Sequence, residues 1–84
     1  MPSNPAFRAG RYREALSGYQ RIQELNPAES ASYYNAARCY LELDDQTSAA
    51  RMYYSYLLLV DDDDPDRKRV EQWLAERQFP VPQK

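Results

Sequence analysis

Histidine is absent from this 84-residue chain, and cysteine occurs once, as Cys39. Without histidine the chain lacks the most common general base and the usual partner of a serine or cysteine nucleophile. A single cysteine forms no internal disulfide, and a zinc site needs more cysteine or histidine ligands than are present. These shortages predict a protein that is not an enzyme and that holds no metal and no cofactor.

Long apolar runs and a strong net charge are also lacking. The longest unbroken apolar run covers 56–60, whereas a membrane-spanning helix needs about 20 apolar residues. The first residues show neither the basic region nor the apolar stretch of a signal peptide. Eleven basic and thirteen acidic residues leave a formal charge of −2, which is too small to attract a polyanion. We therefore expect a soluble chain with no membrane span and no nucleic-acid partner, in a compartment that the sequence leaves open.

What the chain does contain is apolar side chains at helical spacing. Apolar residues make up 43% of the sequence, and eight of them are tyrosines, so a core is available but much of it carries hydroxyl groups. Steps of three and four residues predict a helix over 12–25, built on Tyr12, Ala15, Leu16, Tyr19, Ile22 and Leu25. The same spacing predicts helices over 30–43, 46–60 and 65–77, and little more than a turn over 5–9.

Turn residues separate the first three of these long helices. Gly10 favours the left-handed conformation that ends the initial turn, and Asp44 tolerates the same conformation before the helix over 46–60. Asn26-Pro27 ends the helix over 12–25. A helix-start signal stands at Asn4, which is a favoured cap residue.

Further signals mark the later helices and the end of the chain. Ser30 is a plausible cap for the helix over 30–43. Asp64 is a favoured cap for the last helix, and Pro65 suits its first turn. Pro80 and Pro82 prevent the helix from continuing, so the sequence predicts a short polar tail after it.

The chain also repeats itself at an offset of 34 residues, which is the tetratricopeptide spacing. Ala15 aligns with Ala49, and Tyr19 aligns with Tyr53. Two segments carry the family pattern: Tyr33-x2-Ala36-Ala37-x2-Tyr40 with Ala49-x3-Tyr53, and before it Gly10-x-Tyr12-x2-Ala15-x3-Tyr19 with Asn26-Pro27. On these motifs the chain resembles the tetratricopeptide repeat family.

The resemblance implies an all-α fold, an antiparallel helix-turn-helix α-solenoid of about four helices in one domain. It divides the chain into a partial repeat over 6–27, a full repeat over 30–61, a capping helix over 65–78 and a tail over 79–84.

Two positions depart from the family pattern. Asp61 stands where the full repeat closes with proline, and Tyr56 stands where alanine is preferred. We therefore expect the last helix either to be displaced outward or to pack with Trp73 against the Tyr56 ring. An aromatic contact of that kind is worth about 1 kcal/mol beyond its burial.

The resemblance also implies a function in protein–protein interaction, because the first helices of successive repeats line a concave groove that holds a peptide or a partner helix. The residues that would face this groove are Tyr34, Asn35, Arg38, Leu41 and Glu42 of the full repeat and Lys68, Arg69 and Gln72 of the capping helix. Arginine binds carboxylates through paired hydrogen bonds, so an acidic peptide or a free C-terminal carboxylate is the expected partner.

A subset of these residues matches family members that clamp a C-terminal carboxylate. The match implies that Asn35 and Arg69 belong to a partial clamp, in which Pro65 replaces a basic residue. The alternative is that these side chains are ordinary solvated helix surface, since exposed charges contribute little free energy. Tyr34 and Tyr54 have no obvious place in the core, so they are either interface anchors or rings that happen to be exposed.

A structural role is the alternative function. Most of the helix that should pair with 12–25 is missing, so Ala15, Leu16 and Tyr19 would be partly uncovered. Such a stripe predicts a homo-oligomer or a self-assembly segment of a larger solenoid.

Two remaining features have structural explanations. The acidic run over 61–64 could offer oxygen ligands to calcium, but it lacks the glycine and the closing glutamate of a calcium loop, which favours a loop and helix cap. Cys39 falls at a small-residue position between helices, which predicts a buried thiol and not a nucleophile.

Overall fold

The computed structural model describes residues 5–83 of the chain. Within this range the chain forms five α-helices and no β-strand: α1 (Pro5–Arg8), α2 (Tyr12–Leu25), α3 (Ser30–Glu42), α4 (Gln46–Leu59) and α5 (Arg67–Glu76). The all-α prediction is confirmed, and α1 is the single turn expected before the first long helix. None of the helices described here has both the length and the apolar character that crossing a lipid bilayer requires.

The left-handed turns at Gly10 and Asp44 form as predicted. Gly10 has a φ of 78° and Asp44 a φ of 61°. Glycine adopts this conformation without steric cost, and aspartate tolerates it better than most residues do. After the second turn, the Asp45 carboxylate accepts a hydrogen bond from the backbone N–H of Ser48 at 3.1 Å and caps α4.

The caps predicted for the other helices differ from those observed. Ser30 is the first residue of α3 and not its cap, and Glu29 in the cap position makes no side-chain capping bond. The cap predicted at Asn4 lies outside the described residues. Apart from the start of α5, the predicted helix ends agree with the structure to within one residue.

The start of α5 is a larger correction. The helix begins at Arg67 and not at Pro65. The Asp64 carboxylate accepts one hydrogen bond from the backbone N–H of Asp66, at 2.9 Å, and another from the Tyr56 hydroxyl. Because Asp64 bonds to the next turn and to α4, Pro65 lies in a turn that precedes the helix.

Each helix packs against the next one along the chain, and α3 lies between two apolar clusters. Ala36 and Cys39 of α3 belong to the cluster that α3 shares with α1 and α2. Ala37 belongs to the cluster that α3 shares with α4 and α5. These small side chains are almost fully buried and let the helices approach closely.

The exposure predicted for α2 is wrong. Ala15, Leu16 and Tyr19 are buried, because α3 packs on one side of them and the short α1 contributes Ala6 to the same cluster. The exposed apolar residues of this helix lie at its C-terminal end, where Leu25 is 73% exposed. The homo-oligomer predicted from an uncovered stripe therefore loses its structural basis.

The segment after α5 also differs from the polar tail that was predicted. Phe79 stacks on Trp73, with the ring centres 5.9 Å apart. Val81 packs against the cluster of α4 and α5, and Pro82 is buried. Phe79, Val81 and Pro82 therefore fold back onto the helices and add to the core, while Pro80 and Gln83 are exposed.

Candidate functional site

Three of the predicted groove residues come together through side chains of α3 and α5. Tyr34 and Arg38 lie one turn apart on α3, and Arg69 of α5 donates a hydrogen bond to the Tyr34 hydroxyl. The guanidinium carbon of Arg69 lies 5.9 Å from the centre of the Tyr34 ring. Asp66 pairs with Arg69 on the same helix, which orients the guanidinium and neutralises part of its charge.

Arg38 extends this surface to α1. Its guanidinium carbon lies 4.8 Å from the centre of the Phe7 ring, within the range of a cation–π contact. Sequence reasoning did not identify Phe7, which lies three residues before Gly10 on the short α1. We call Phe7, Tyr34, Arg38 and Arg69 the cationic strip; it crosses α1, α3 and α5.

Tyr53 of α4 lies beneath the cationic strip. Its ring meets the Tyr34 ring at 5.8 Å in an edge-to-face contact. Burial raises the pKa of the Tyr53 hydroxyl, and Tyr34 adds to this, whereas Arg38 and Arg69 act in the opposite direction. Both guanidinium groups therefore act electrostatically on the same buried hydroxyl, and the Asp66 carboxylate that pairs with Arg69 acts against them.

The other predicted groove residues have different surroundings. Asn35 is only 7% exposed, so it offers little surface to a partner. Leu41 is half-buried and packs against the cluster of α4 and α5. Glu42, Lys68 and Gln72 are exposed. Tyr34, Arg38 and Arg69 form the part of the predicted site that the structure brings together.

The aromatic pairing predicted for Trp73 is wrong. Trp73 meets Tyr53 at 5.3 Å in an edge-to-face contact, and Tyr56 instead contacts Tyr34 at 5.3 Å. Tyr34 is therefore part of the packing as well as of the surface. Burial raises the pKa of the Tyr56 hydroxyl, and its hydrogen bond to Asp64 raises it further, so this group stays protonated and donates a hydrogen bond to the carboxylate.

The cysteine is buried as predicted. Cys39 has no exposed surface, and burial raises the pKa of its thiol to about 11, although the nearby Arg38 opposes this shift. A thiol is nucleophilic only as the thiolate. At neutral pH Cys39 is therefore a packing residue.

This predicts a large difference in thiol reactivity between folded and unfolded chains. At pH 8 we expect Cys39 in the folded chain to react with a disulfide reagent at least about 100-fold more slowly than in urea, because the raised pKa and the burial both suppress attack. The reaction is followed by absorbance of the released thiolate. As a control, the double variant Cys39→Ala/Ser17→Cys has its thiol on the exposed face of α2 and should react at similar rates in both states. Equal rates for native Cys39 in the two states would contradict the prediction.

Comparison of the chain with protein-family models, with curated proteins and with solved structures finds no match. The comparisons therefore provide no evidence for or against the tetratricopeptide resemblance. A functional assignment has to come from the internal geometry of the chain.

Proposed function

We propose that this chain is a non-catalytic, tetratricopeptide-like module that binds an acidic segment of a partner protein along the cationic strip. The observation that carries the proposal is a structural period of 34 residues that recurs through the whole described chain. A period of this length is typical of stacked helical hairpins that present a continuous binding surface.

The period is visible first in the ends of the helices. α1, α3 and α5 end at Arg8, Glu42 and Glu76, at intervals of 34 residues. α2 and α4 have the same length, and both their first and their last residues are separated by the same interval. The helices thus alternate in the order expected of first and second helices of successive hairpins.

The turns between the helices follow the same period. Gly10, Asp44 and Gln78 have φ values of 78°, 61° and 63°. Each turn is closed by the same pair of backbone hydrogen bonds. In the first bond, the backbone N–H groups of Gly10, Asp44 and Gln78 donate to the carbonyls of Phe7, Leu41 and Ala75, respectively. In the second bond, the N–H groups of Arg11, Asp45 and Phe79 donate to the carbonyls of Ala6, Tyr40 and Leu74, respectively. Three different sequences, of which only the first has glycine at the left-handed position, therefore adopt the same turn. This supports a repeated unit.

The place of the cationic strip follows from this order. α1, α3 and α5 are the successive first helices, and the strip has at least one residue on each of them. Arginine next to an aromatic ring offers a partner both a charge-assisted hydrogen bond and a flat apolar contact. An extended segment with carboxylates spaced along it is the ligand that suits such a surface.

Reversing the charge of the strip tests the proposal. The probe is an acetylated octapeptide of alternating glutamate and leucine, prepared with a free and with an amidated C-terminus. We expect the double variant Arg38→Glu/Arg69→Glu to bind it at least about tenfold more weakly, because two attractive charges become repulsive. Isothermal titration calorimetry at low salt measures the affinity, and comparison of the two peptide forms shows whether a terminal carboxylate contributes.

The matched control is Arg13→Glu/Arg21→Glu, which changes the net charge by the same amount on the exposed face of α2. We expect this variant to keep most of the affinity and both variants to keep the far-ultraviolet circular dichroism of the parent. Unchanged affinity in the strip variant, or an equal loss in both variants, would remove the assignment of the strip.

A further inference from the structure

A second concavity lies apart from the cationic strip, between α4 and the returning segment 79–83. Its volume is about 580 Å³. The lining residues are Thr47, Ala50, Arg51, Tyr54 and Ser55 of α4, together with Phe79 and Pro80. We call this the α4 cleft. A volume of this size and an apolar lining are usual for binding sites.

The lining of the α4 cleft has the form of a helix-packing surface. Its α4 residues are spaced three and four apart, so they form one continuous stripe along the helix. The middle of the stripe is Ala50, a small residue that lets another backbone come close, and Tyr54 beside it is 37% exposed. This combination of a small residue and a large exposed ring suits an incoming helix with one bulky side chain.

The 34-residue period indicates which kind of structural element fits the α4 cleft. Leu16 of α2 is the counterpart of Ala50, one period earlier. Leu16 belongs to the apolar cluster against which Met52 of α4 packs, and the Gln23 side chain of α2 donates a hydrogen bond to the Met52 sulfur at 3.7 Å. The second helix of one unit thus contacts the second helix of the unit before it through the Met52 side chain. By the same period, the α4 cleft is the surface against which a third such helix would lie.

Residues 79–83 support this correspondence. Phe79 and Pro80 follow the turn at Gln78 in the places that Asp45 and Gln46 have at the start of α4. In the described chain they are not helical, and they form one wall of the cleft. The third unit therefore has its first helix and its turn, and the cleft beside them remains open.

Charge defines the partner further. Arg51 is exposed at the cleft and forms no ion pair with any described residue. Arg51 is therefore available to a carboxylate of a partner.

We propose that the α4 cleft binds an amphipathic helix of another protein, which packs as the second helix of a third unit. The helix inserts a bulky unbranched side chain, in the way that Met52 meets α2, over Ala50 and against Tyr54. A carboxylate next to that side chain binds Arg51. This site is separate from the cationic strip, and its ligand is a helix and not an extended acidic segment.

The chain supplies its own probe, because α4 is the described example of such a helix. The probe is a peptide of residues 45–60 that is held helical by a hydrocarbon staple in place of Thr47 and Arg51. The staple covers the side that corresponds to the cleft, so the peptide cannot stack on itself. Ser48→Glu and Ser55→Glu place carboxylates within one turn of the methionine on either side. A second peptide with glutamine at both places is the matched neutral probe.

We expect the full chain to bind the acidic probe with a Kd below about 100 µM, measured by fluorescence anisotropy of a labelled peptide. Binding should also change the emission of Trp73, the only tryptophan, because this ring stacks on the Phe79 wall of the cleft. Tyr54→Ser in the chain or Met52→Ser in the probe should weaken binding at least about tenfold, since each removes the central apolar contact. Leu58→Ser, on the same helix but outside the cleft, should have no effect.

The charged contact is tested separately. The acidic probe should bind about threefold more tightly than the neutral probe, which is the range of an exposed ion pair, and Arg51→Glu should reverse this preference. The double variant Arg38→Glu/Arg69→Glu should bind both probes as the parent does, so failure of this proposal and failure of the strip proposal give different results.

Several results would overturn the proposal. One is the absence of binding by the acidic probe, and another is binding that survives both Tyr54→Ser and Met52→Ser. Self-association of the free chain in sedimentation, abolished by Tyr54→Ser, would show that a second copy occupies the cleft. Competition by the extended glutamate-leucine octapeptide would show that the cleft prefers an extended segment to a helix.

Discussion

Replacing Leu57 by alanine is expected to lower the free energy of unfolding by about 2–5 kcal/mol, the usual cost of such a truncation in a packed core. Leu57 is fully buried in the cluster that joins α3, α4 and α5. A chain of 84 residues has a total stability of roughly 4–13 kcal/mol, so the change removes a large part of it. Thermal unfolding followed by circular dichroism should show a Tm lower by at least about 10 °C.

The next residue provides a matched control, because Leu58 has the same side chain on the same helix but is 53% exposed. Leu58→Ala should change the free energy of unfolding by no more than about 0.5 kcal/mol. Equal losses for the two variants would mean that α4 does not present the observed face to the core. The whole arrangement of α3, α4 and α5 would then be wrong.

The sequence predicted α2 at both ends because local signals and packing agree there. Gly10 supplies a turn that suits its own conformational freedom, and Asn26-Pro27 stops the helix by steric exclusion. Asp44 was also predictable, since it stands one period after Gly10 and tolerates the same φ. Where the repeat and the local residue preference coincide, a single sequence is enough to locate a helix.

The start of α5 could not be predicted from the same kind of signal. Asp64-Pro65 is a good local start, but the Asp64 carboxylate is used by the Tyr56 hydroxyl, eight residues earlier on α4. A capping preference is worth about 1 kcal/mol, and a tertiary hydrogen bond of similar strength can compete with it. The return of Phe79 onto Trp73 was missed for the same reason, because prolines predict only that a helix stops and not where the chain then packs.

The candidate site was partly predictable. Tyr34 and Arg38 lie one turn apart, and the repeat pattern placed Arg69 on the next first helix, so these three could be grouped from sequence. Their contacts with Phe7 and Tyr53 could not, since helical spacing identifies a shared face but not which ring on a neighbouring helix meets it. The α4 cleft was missed because its far wall is formed by Phe79 and Pro80, which the sequence predicted to belong to a short polar tail.

Arg67 is the least predictable structural residue. It lies three residues before Val70 and seven before Leu74, on the apolar face of α5, but its charge suggests a solvated side chain. Its side chain is only 7% exposed, and its guanidinium donates hydrogen bonds to the backbone carbonyls of Leu57 at 3.1 Å and Val60 at 3.3 Å. These carbonyls lie at the end of α4, where the helix itself provides no donors. Arg67 thus caps α4 from the next helix.

Two carboxylates complete the surroundings of Arg67. Glu71, one turn further along α5, lies 3.3 Å from Nε, and the exposed Asp62 lies 3.9 Å from it. The buried charge of Arg67 is therefore paired with carboxylates. The carbonyls of Leu57 and Val60 accept hydrogen bonds from Arg67 that water would otherwise have to donate. Because Arg69 lies on the same helix as Arg67, the contacts of Arg67 with the end of α4 also hold Arg69 in position beside Tyr34, at one end of the cationic strip.

Arg67→Met is accordingly expected to lower the free energy of unfolding by about 2–4 kcal/mol, since it keeps most of the apolar stem but leaves the two carbonyls of α4 without their donor. Arg67→Lys should recover less than half of this loss, because one Nη atom of Arg67 bonds both carbonyls while Nε pairs with Glu71, and a single ammonium group cannot reach the carbonyls and the carboxylate together. Urea unfolding measures the stabilities, with the slope of the transition used to check that the unfolding remains two-state.

Lys68→Met is the matched control for Arg67→Met, since it makes the same kind of change at the adjacent but exposed position of α5. It should alter the stability by no more than about 0.5 kcal/mol. Full recovery by Arg67→Lys would mean that one cationic donor is sufficient and that the simultaneous pairing of Nε with Glu71 contributes little. A loss as large in Lys68→Met as in Arg67→Met would mean that the helix tolerates no change in this turn, and the capping role of Arg67 would have to be abandoned.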